Sequence, residues 1–254
     1  MYHYLYDSFL TDPKFGKPLT QIENRLTDLG IYGNVHRLAL FKTMKGTIQD
    51  AVRRGGKTIV AVGDDASVAK AIDAVAEFPN VTFGIIPMGG GSHSIAGLLG
   101  IPEGVAACDV LSARLVESLD LGKVNNHHFL TSLTIPGEVQ AECDGRYTVS
   151  LENAGEICVS NLTGAGDRQL SDPRDGRLET LVRTAARGFF RSMFGPRLAP
   201  AAVSVFPTER VVIRAANRAQ LTAVADGLPY NDAEFRVEIM PQRLKVIVGK
   251  GRNI

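Results

Sequence analysis

Residues 58–73 read TIVAVGDDASVAKAID, and this stretch decides the fold. Residues 59–62 are apolar at every position, which is typical of a strand that is buried on both faces of a parallel sheet. After the turn, the apolar residues from 68 to 76 recur at helical spacing. A buried strand, a glycine-containing turn and an amphipathic helix together predict one unit of an α/β sheet that is covered by helices.

The same alternation extends over the first part of the chain. Helical patterns, such as residues 22–29, separate short apolar runs at residues 2–6, 35–40, 59–62 and 81–86. After Asp120 the apolar residues alternate with period two, and pairs such as Asp226-Gly227 mark turns between the runs. The sequence therefore predicts an α/β domain over residues 1–115 and a β-rich, sandwich-like domain over residues 116–254. The exception is residues 178–194, whose apolar spacing predicts a helix.

Composition and charge narrow the function classes. The chain has 254 residues, of which 44% are hydrophobic and 22% are charged, enough for one or two packed domains. A formal net charge of +1 without blocks of like charge argues against a nucleic-acid partner. No apolar run approaches the roughly 18 residues of a membrane span, and the first residues do not resemble a signal peptide, so we expect a cytoplasmic protein. Cys108, Cys143 and Cys158 form no metal-binding or disulfide pattern, and we expect buried free thiols.

Two turns have the composition of a phosphate site. VGDDAS at residues 62–67 and IPMGGGS at residues 86–92 each follow a predicted strand and precede a predicted helix. At the carboxyl ends of parallel strands, glycines allow backbone N–H groups to approach phosphate oxygens. Either turn alone is explained equally well as an ordinary strand-to-helix connection, with Ser67 as a helix cap. Two such turns in neighbouring units favour a phosphate ligand.

These stretches also resemble a known family. Residues 58–73 resemble the strand, G-G-D-G-T turn and helix of the diacylglycerol kinase catalytic domain, whose relatives include sphingosine kinases, bacterial lipid kinases and, more distantly, NAD kinases and phosphofructokinases. Four further segments resemble its other motifs in the same order: P-x-G-T-x-N-D at 84–102, D-x-G-x-V-N at 120–130, D-G-x-L at 172–178 and D-G-E-P at 225–229. The resemblance implies an NAD-kinase-like α/β domain followed by a β-sandwich-like domain.

The resemblance also implies a site. It implies that ATP binds in the crevice between the domains and that its γ-phosphoryl group is transferred to a lipid or lipid-like hydroxyl, with Mg²⁺ bridging the phosphates. Asp65 would organise the Mg²⁺, and Asp226 would be the remaining candidate base. The nucleotide-binding positions that it implies are Thr43, Gly63, Asp65, Ser67, Gly89, Gly90 and Gly91. A structural Mg²⁺ is implied at Asp172, Asp175 and the carbonyl of Arg177, although Asp-Pro and Asp-Gly pairs also form turns without a metal.

Several positions depart from the family motifs. In the first turn Asp64 and Ala66 replace glycines and Ser67 replaces threonine, so that a carboxylate lies where phosphate is expected. In the second turn Gly90 replaces threonine, and Ser92-His93 replace Asn-Asp. Leu228 replaces the glutamate that accepts the proton. The alternative is therefore a catalytically silent homologue, a binding or regulatory module. A third interpretation is a different phosphoryl donor, because residues 63–65 also resemble the turn of pyrophosphate-dependent phosphofructokinases.

Only a few residues of the sequence indicate binding partners. We expect a nucleotide ligand and a lipid substrate that brings the protein to the membrane periphery, and a homodimer is left open. Basic and aromatic residues that suit either a membrane-surface helix or a packed helix with a solvated edge are Arg183, Arg187, Arg191, Arg197, Phe189, Phe190, Met193 and Phe194. His127 and His128 are adjacent, so a strand would point them to opposite faces, and we expect no shared metal.

Overall fold

The computed structural model describes residues 1–38, 43–151, 155–163, 171–184, 203–216, 220–252 and 254. The helices are α1 (Gly16–Asp28), α2 (Met44–Arg53), α3 (Asp65–Val75), α4 (Ser94–Leu98) and α5 (Ala106–Ala113). Short 3-10 helices cover Ser8–Thr11 and Pro13–Phe15. The first strands are β1 (Tyr2–Tyr6), β2 (Gly33–Arg37), β3 (Thr58–Gly63), β4 (Thr82–Pro87), β5 (Val116–Val124), β6 (His127–Phe129), β7 (Ser132–Pro136) and β8 (Val139–Cys143). The others are β9 (Tyr147–Leu151), β10 (Gly155–Ser160), β11 (Leu178–Thr184), β12 (Val203–Thr208), β13 (Arg210–Ala215), β14 (Leu221–Ala225), β15 (Leu228–Asp232) and β16 (Glu234–Ile247).

The first half of the chain builds a parallel sheet. Strands β2, β1, β3 and β4 lie side by side in that order, and every residue of β3 is buried. The strand ends are level, because Gly63 pairs with Pro87 and the Met88 N–H donates to the Gly63 carbonyl at 2.9 Å. The Asp7 N–H likewise donates to the Val62 carbonyl at 3.2 Å. The residues that follow β1, β3 and β4 therefore meet at one edge of the sheet.

The second half is antiparallel and forms a sandwich. One sheet has the order β12-β11-β10-β7-β14-β15, and β13, β8 and β9 extend the other sheet. Their facing side chains share one core, to which Leu133 and Ile157 contribute from the first sheet and Ala141 and Val211 from the second. The α/β domain and the sandwich-like domain are confirmed as fold classes.

The last strand connects the two parts. At its start, Phe235 and Val237 of β16 pack in the sandwich core. After an irregularity between Met240 and Leu244, the strand pairs in parallel with β4, and Val246 packs in the first core. The C-terminal residues thus complete the N-terminal sheet, and the domain boundary near residue 115 stays a prediction.

The helix expected over residues 178–194 is wrong for its first part. Residues 178–184 form β11, which is hydrogen-bonded to β10 on one side and to β12 on the other. Leu178 and Val182 pack in the sandwich core, because residues four apart share a face in a strand as well as in a helix. Residues 185–200 lie outside the described part of the chain, and with them most of the basic and aromatic set. Among the helices that are described, none is long and apolar enough to cross a membrane.

Other expectations are confirmed. The runs at residues 2–6 and 59–62 lie in β1 and β3, and the helical pattern at 68–76 matches α3, which begins at Asp65 and ends at Val75. Cys108, Cys143 and Cys158 are free thiols, and all three are buried.

Candidate functional site

A cleft between the two halves brings three of the five motifs together. Its volume is about 420 Å³, and we call it the inner cleft. The two turns of the parallel sheet line one wall with Asp64, Asp65, Ala66, Ser92, Ser94 and Ile95. The antiparallel sheet lines the other wall with Thr131, Ser132, Thr134, Val224, Asp226 and Gly227. The cleft therefore lies at the carboxyl ends of parallel strands, where open α/β sheets bind ligands.

Asp65 holds the second turn against the first. One carboxylate oxygen accepts the Ser94 N–H at 2.8 Å and the Ser94 hydroxyl at 2.6 Å, and the other accepts the Ile95 N–H at 3.0 Å. Burial raises the pKa of Asp65, but the hydrogen bonds from Ser94, Ser92 and Ile95 outweigh it and hold that pKa below its ordinary value. Asp65 is thus an anion at neutral pH, and much of its acceptor capacity is used inside the protein.

Asp64 caps α3, and Ser67 is buried behind it. Asp64 Oδ1 accepts the Ser67 N–H at 3.0 Å, and the Ser67 hydroxyl lies 2.9 Å from the same oxygen and 2.7 Å from Asp7 Oδ2. Ser67 is 1% exposed. Its hydroxyl therefore faces two carboxylates, and Ser67 does not line the inner cleft, which differs from the position that the family resemblance implies.

The glycines of the second turn differ in their surroundings. Gly89 has φ +119, and a Cβ there would lie 2.8 Å from the Phe9 ring, so only glycine suits this position. A Cβ at Gly91 would lie 2.7 Å from Asp64 Oδ2. Gly90 has open space around it and lines a second, more open cavity of about 820 Å³ with Phe9, Lys14 and Phe15. We call this the outer cavity, and Asp64 also lines it.

Asp226 is an anchor of the fold as well as a cleft residue. Asp226 (φ 47) and Gly227 (φ 80) form the two-residue turn between β14 and β15, as expected of an Asp-Gly hairpin. The Asp226 carboxylate accepts the Leu130 N–H at 2.7 Å, the Thr131 N–H at 2.8 Å and the Thr131 hydroxyl. Burial raises the pKa of Asp226, and these hydrogen bonds oppose the rise. These donors occupy the carboxylate inside the fold, and the pKa of Asp226 stays above its ordinary value.

Two other predicted positions do not line the inner cleft. Leu228 begins β15 and packs against the core of the parallel sheet. Thr43 caps α2 by accepting the Gly46 N–H at 3.1 Å, and it lines a separate cavity of about 230 Å³ with His36 and Arg54. The assignment of Thr43 to the nucleotide stays a prediction.

The loop that includes Asp172, Asp175 and Arg177 is held by its own hydrogen bonds. Asp172 accepts the Arg174 N–H at 3.1 Å, and Asp175 accepts the Arg177 N–H at 2.9 Å. Burial raises the pKa of the neighbouring Glu179 to about 7, with Asp175 and Asp172 contributing. In the part of the chain that the structure describes, no three His, Cys, Asp or Glu side chains are grouped to hold a metal ion. Hard oxygen donors do suit Mg²⁺, so the metal role of this loop remains a prediction.

If this loop binds a structural Mg²⁺, removal of divalent ions should destabilise the protein. We expect a lower melting temperature in EDTA than in Mg²⁺, and we expect Asp175→Asn to abolish the difference because it removes a charged ligand. Differential scanning fluorimetry measures both. Equal melting temperatures of the unmodified protein in the two buffers would leave the loop as a turn without a metal.

The sequence did not reveal one polar cluster that links the two halves. Asp73 of α3 lies between two histidines of β6: its Oδ2 is 2.9 Å from His127 Nδ1, and its Oδ1 is 3.1 Å from His128 Nδ1. Asp73 Oδ1 also accepts the His128 N–H at 2.8 Å. The expectation that the histidines point to opposite faces is wrong, because both rings turn towards one carboxylate. The His127 ring also lies 4.4 Å from that of Tyr230.

We expect Asp73→Asn to lower the free energy of unfolding by about 1–2 kcal/mol at pH 7, since it removes charge-assisted hydrogen bonds. Burial raises the pKa of Asp73, but the bonds from His128 and His127 outweigh it and lower that pKa. The stabilisation is therefore present above the ordinary carboxyl pKa and is lost as pH falls through the folded-state value. Urea unfolding from pH 7 to pH 3 should show the difference shrinking in acid. Exposed Asp50→Asn in α2 is the control, and a difference that persists unchanged at pH 3 would contradict the assignment.

Comparison with known proteins gives a family match over part of the chain and a fold match over nearly all of it. Residues 6–124 match the model of the diacylglycerol kinase catalytic domain. A crystal structure of a diacylglycerol kinase from Bacillus anthracis has a TM-score of 0.75 at 16% identity and covers 98% of this chain and 97% of that one. An NAD kinase from Archaeoglobus fulgidus, solved in complex with ATP, has a TM-score of 0.51 at 13% identity and covers 98% and 94% of the two chains. These structures show the fold.

A diacylglycerol kinase is also similar to part of this chain in sequence. The chain is 26% identical over 119 residues to the diacylglycerol kinase of Bacillus subtilis strain 168, and this stretch is 46% of the chain. The match spans 39% of the length of that relative. The resemblance deduced from the motifs is confirmed for residues 6–124, which are similar to the diacylglycerol kinase catalytic domain.

Proposed function

We propose that the chain is a nucleotide-binding lipid-kinase-like protein whose inner cleft is built for transfer of the ATP γ-phosphoryl group to a lipid or lipid-like hydroxyl. The observation that carries the proposal is the meeting of residues 64–66, the end of the second turn with the start of α4, and the Asp226 turn in one cleft. Phosphoryl transfer depends mainly on positioning and charge stabilisation, and such a cleft supplies positioning from both sides.

Each wall of the cleft has its own part in this proposal. Backbone N–H groups at Gly89, Gly90 and Gly91 would donate to phosphate oxygens, and Lys14, which lines the outer cavity with Gly90, would supply positive charge. The hydroxyls of Thr131, Ser132 and Thr134 would bind the acceptor. Mg²⁺, when bound, would neutralise phosphate charge, and the carboxylates of Asp64 and Asp65 are suitable oxygen ligands for it.

A catalytically silent binding module is the second candidate. It is favoured by the internal hydrogen bonds that occupy Asp65 and Asp226 and by the apolar side chain at position 228. Without a positioned base, transfer to a hydroxyl should be slower by a factor on the order of 10²–10⁴.

A transfer assay with radiolabelled ATP, Mg²⁺ and 1,2-dioctanoylglycerol in detergent micelles distinguishes the lipid kinase from the silent module. We expect protein-dependent phosphorylation that is slow but above the protein-free background. Nucleotide binding without any transfer would favour the silent module, and absence of both would contradict the proposed function.

A further inference from the structure

Asp64 lies between the two cavities of the site. It is the one residue that appears in both linings, since the inner cleft and the outer cavity share no other described residue. The outer cavity contains Gly90 and Lys14, whereas the inner cleft contains Asp226. A ligand that spans both cavities therefore has to pass the Asp64 side chain.

The Asp64 side chain is fixed in this position. Its Oδ1 accepts two hydrogen bonds from Ser67, at 3.0 and 2.9 Å, and these hold the carboxylate at the start of α3. On its other side, the position of a Cβ built on Gly91 would lie 2.7 Å from Oδ2 and 2.9 Å from the Asp64 Cβ. The side chain thus reaches from the first glycine turn to the backbone of the second and fills the gap between them.

The charges of the inner cleft reinforce this barrier. Three carboxylates line it, those of Asp64, Asp65 and Asp226, and no lysine, arginine or histidine is among its described lining residues. Hydroxyls of serine and threonine supply most of the other polar groups, and Ile95 and Val224 supply apolar surface. Such a lining suits an uncharged, hydroxyl-bearing ligand and repels a bare phosphate chain.

We propose that Asp64 is a specificity-determining residue: its carboxylate separates the cavities, keeps phosphate that is not neutralised by a cation on the Gly90 and Lys14 side, and leaves the inner cleft to an uncharged hydroxyl-bearing ligand. The inference rests on the proposed function, because it assigns the two ligands of phosphoryl transfer to two cavities. Asp64 acts through both charge and volume, and two substitutions separate these effects.

Asp64→Asn removes the charge but retains the size and the helix cap, since asparagine is an equally good N-cap. Asp64→Gly removes both the charge and the side chain that separates the cavities, and glycine is also an accepted N-cap residue. Asp50→Asn is the matched control, because Asp50 is an exposed carboxylate of α2 that lines neither the inner cleft nor the outer cavity. Circular dichroism establishes that all variants are folded.

Isothermal titration calorimetry with pyrophosphate and with ATP, each in EDTA and in Mg²⁺, tests the proposal. In EDTA we expect Asp64→Asn to bind both ligands about tenfold more tightly than the unmodified protein, and Asp64→Gly to bind ATP more tightly still. In Mg²⁺ the gain should be smaller, and Asp50→Asn should resemble the unmodified protein. If the unmodified protein binds ATP and the Asp64 variants bind it no better in EDTA, the inference is wrong while the proposed function stands. If no protein in the set binds either ligand, the proposed function itself fails.

Discussion

Leu228→Glu is expected to raise the rate of phosphate transfer from ATP to diacylglycerol by about 10²-fold or more, because it supplies the proton acceptor that the D-G-E-P turn of the family contains. Position 228 follows directly after the Asp226-Gly227 turn, which lines the inner cleft, and its partly buried side chain packs against the core of the parallel sheet. Initial rates with radiolabelled ATP and 1,2-dioctanoylglycerol measure the gain.

Leu228→Gln is the matched control for this variant. Glutamine has the length and polarity of glutamate but cannot accept the proton. Leu228→Gln should therefore leave the transfer rate near that of the unmodified protein. The combination with Asp64→Gly and Gly90→Thr should give a larger gain, and Gly90 has open space for the new side chain. Equal rates for the glutamate and glutamine variants would mean that the missing base is not what limits transfer.

Asp226→Asn is expected to lower the free energy of unfolding by about 2–4 kcal/mol, since an amide N–H₂ would face backbone donors that the carboxylate now satisfies. The donors are the N–H groups of Leu130 and Thr131, and the site is 8% exposed, so water does not replace the lost acceptor. Chemical denaturation at pH 7 measures the loss. The control is Asp232→Asn at the exposed end of β15, where the carboxylate accepts bonds from the Asn125 side chain at 2.9 Å and from the neighbouring Ala233 N–H at 2.7 Å.

The same variant tests the catalytic role of Asp226. If Asp226 is only an anchor, residual transfer per folded molecule should persist in Asp226→Asn. Loss of all transfer in a variant that remains folded at the assay temperature would instead make Asp226 the base. A stability equal to that of the unmodified protein would contradict the anchoring role.

The sequence predicted the sheet edge at which the candidate site lies, because local patterns identify the strands and the turns that follow them. Residues 59–62 and 81–86 are apolar runs, and parallel strands place the turns that follow them at one sheet edge. The meeting of Asp65 with the second turn was therefore foreseeable in outline. The occupation of its oxygens by Ser94 and Ile95 was not, because it depends on where α4 begins.

Other features depend on contacts that a local pattern does not contain. The contact of Asp73 with His127 joins residues 54 positions apart, and the adjacent positions of His127 and His128 in the sequence do not predict it. The pattern of residues 178–184 fits a helix and a strand equally, because Leu178 and Val182 would share a face in either. The segment forms a strand because it pairs with β10 and β12. Ser67 was expected to face the ligand, but the carboxylates of Asp7 and Asp64 turn its hydroxyl inward.

We expect a nucleotide to bind with its phosphates at the glycine turns. The most direct measurement is calorimetric titration of the unmodified protein, Gly90→Asp and Gly97→Asp with ATP in Mg²⁺. No atom lies within 4 Å of a Cβ built at either glycine, so both variants should fold, but only Gly90 lines the outer cavity. We predict that the unmodified protein and Gly97→Asp bind ATP with equal affinity and that Gly90→Asp binds it at least about tenfold more weakly, because the new carboxylate repels phosphate. Absence of ATP binding to the unmodified protein, or equal affinity of all three proteins, would contradict the binding of phosphates at the glycine turns.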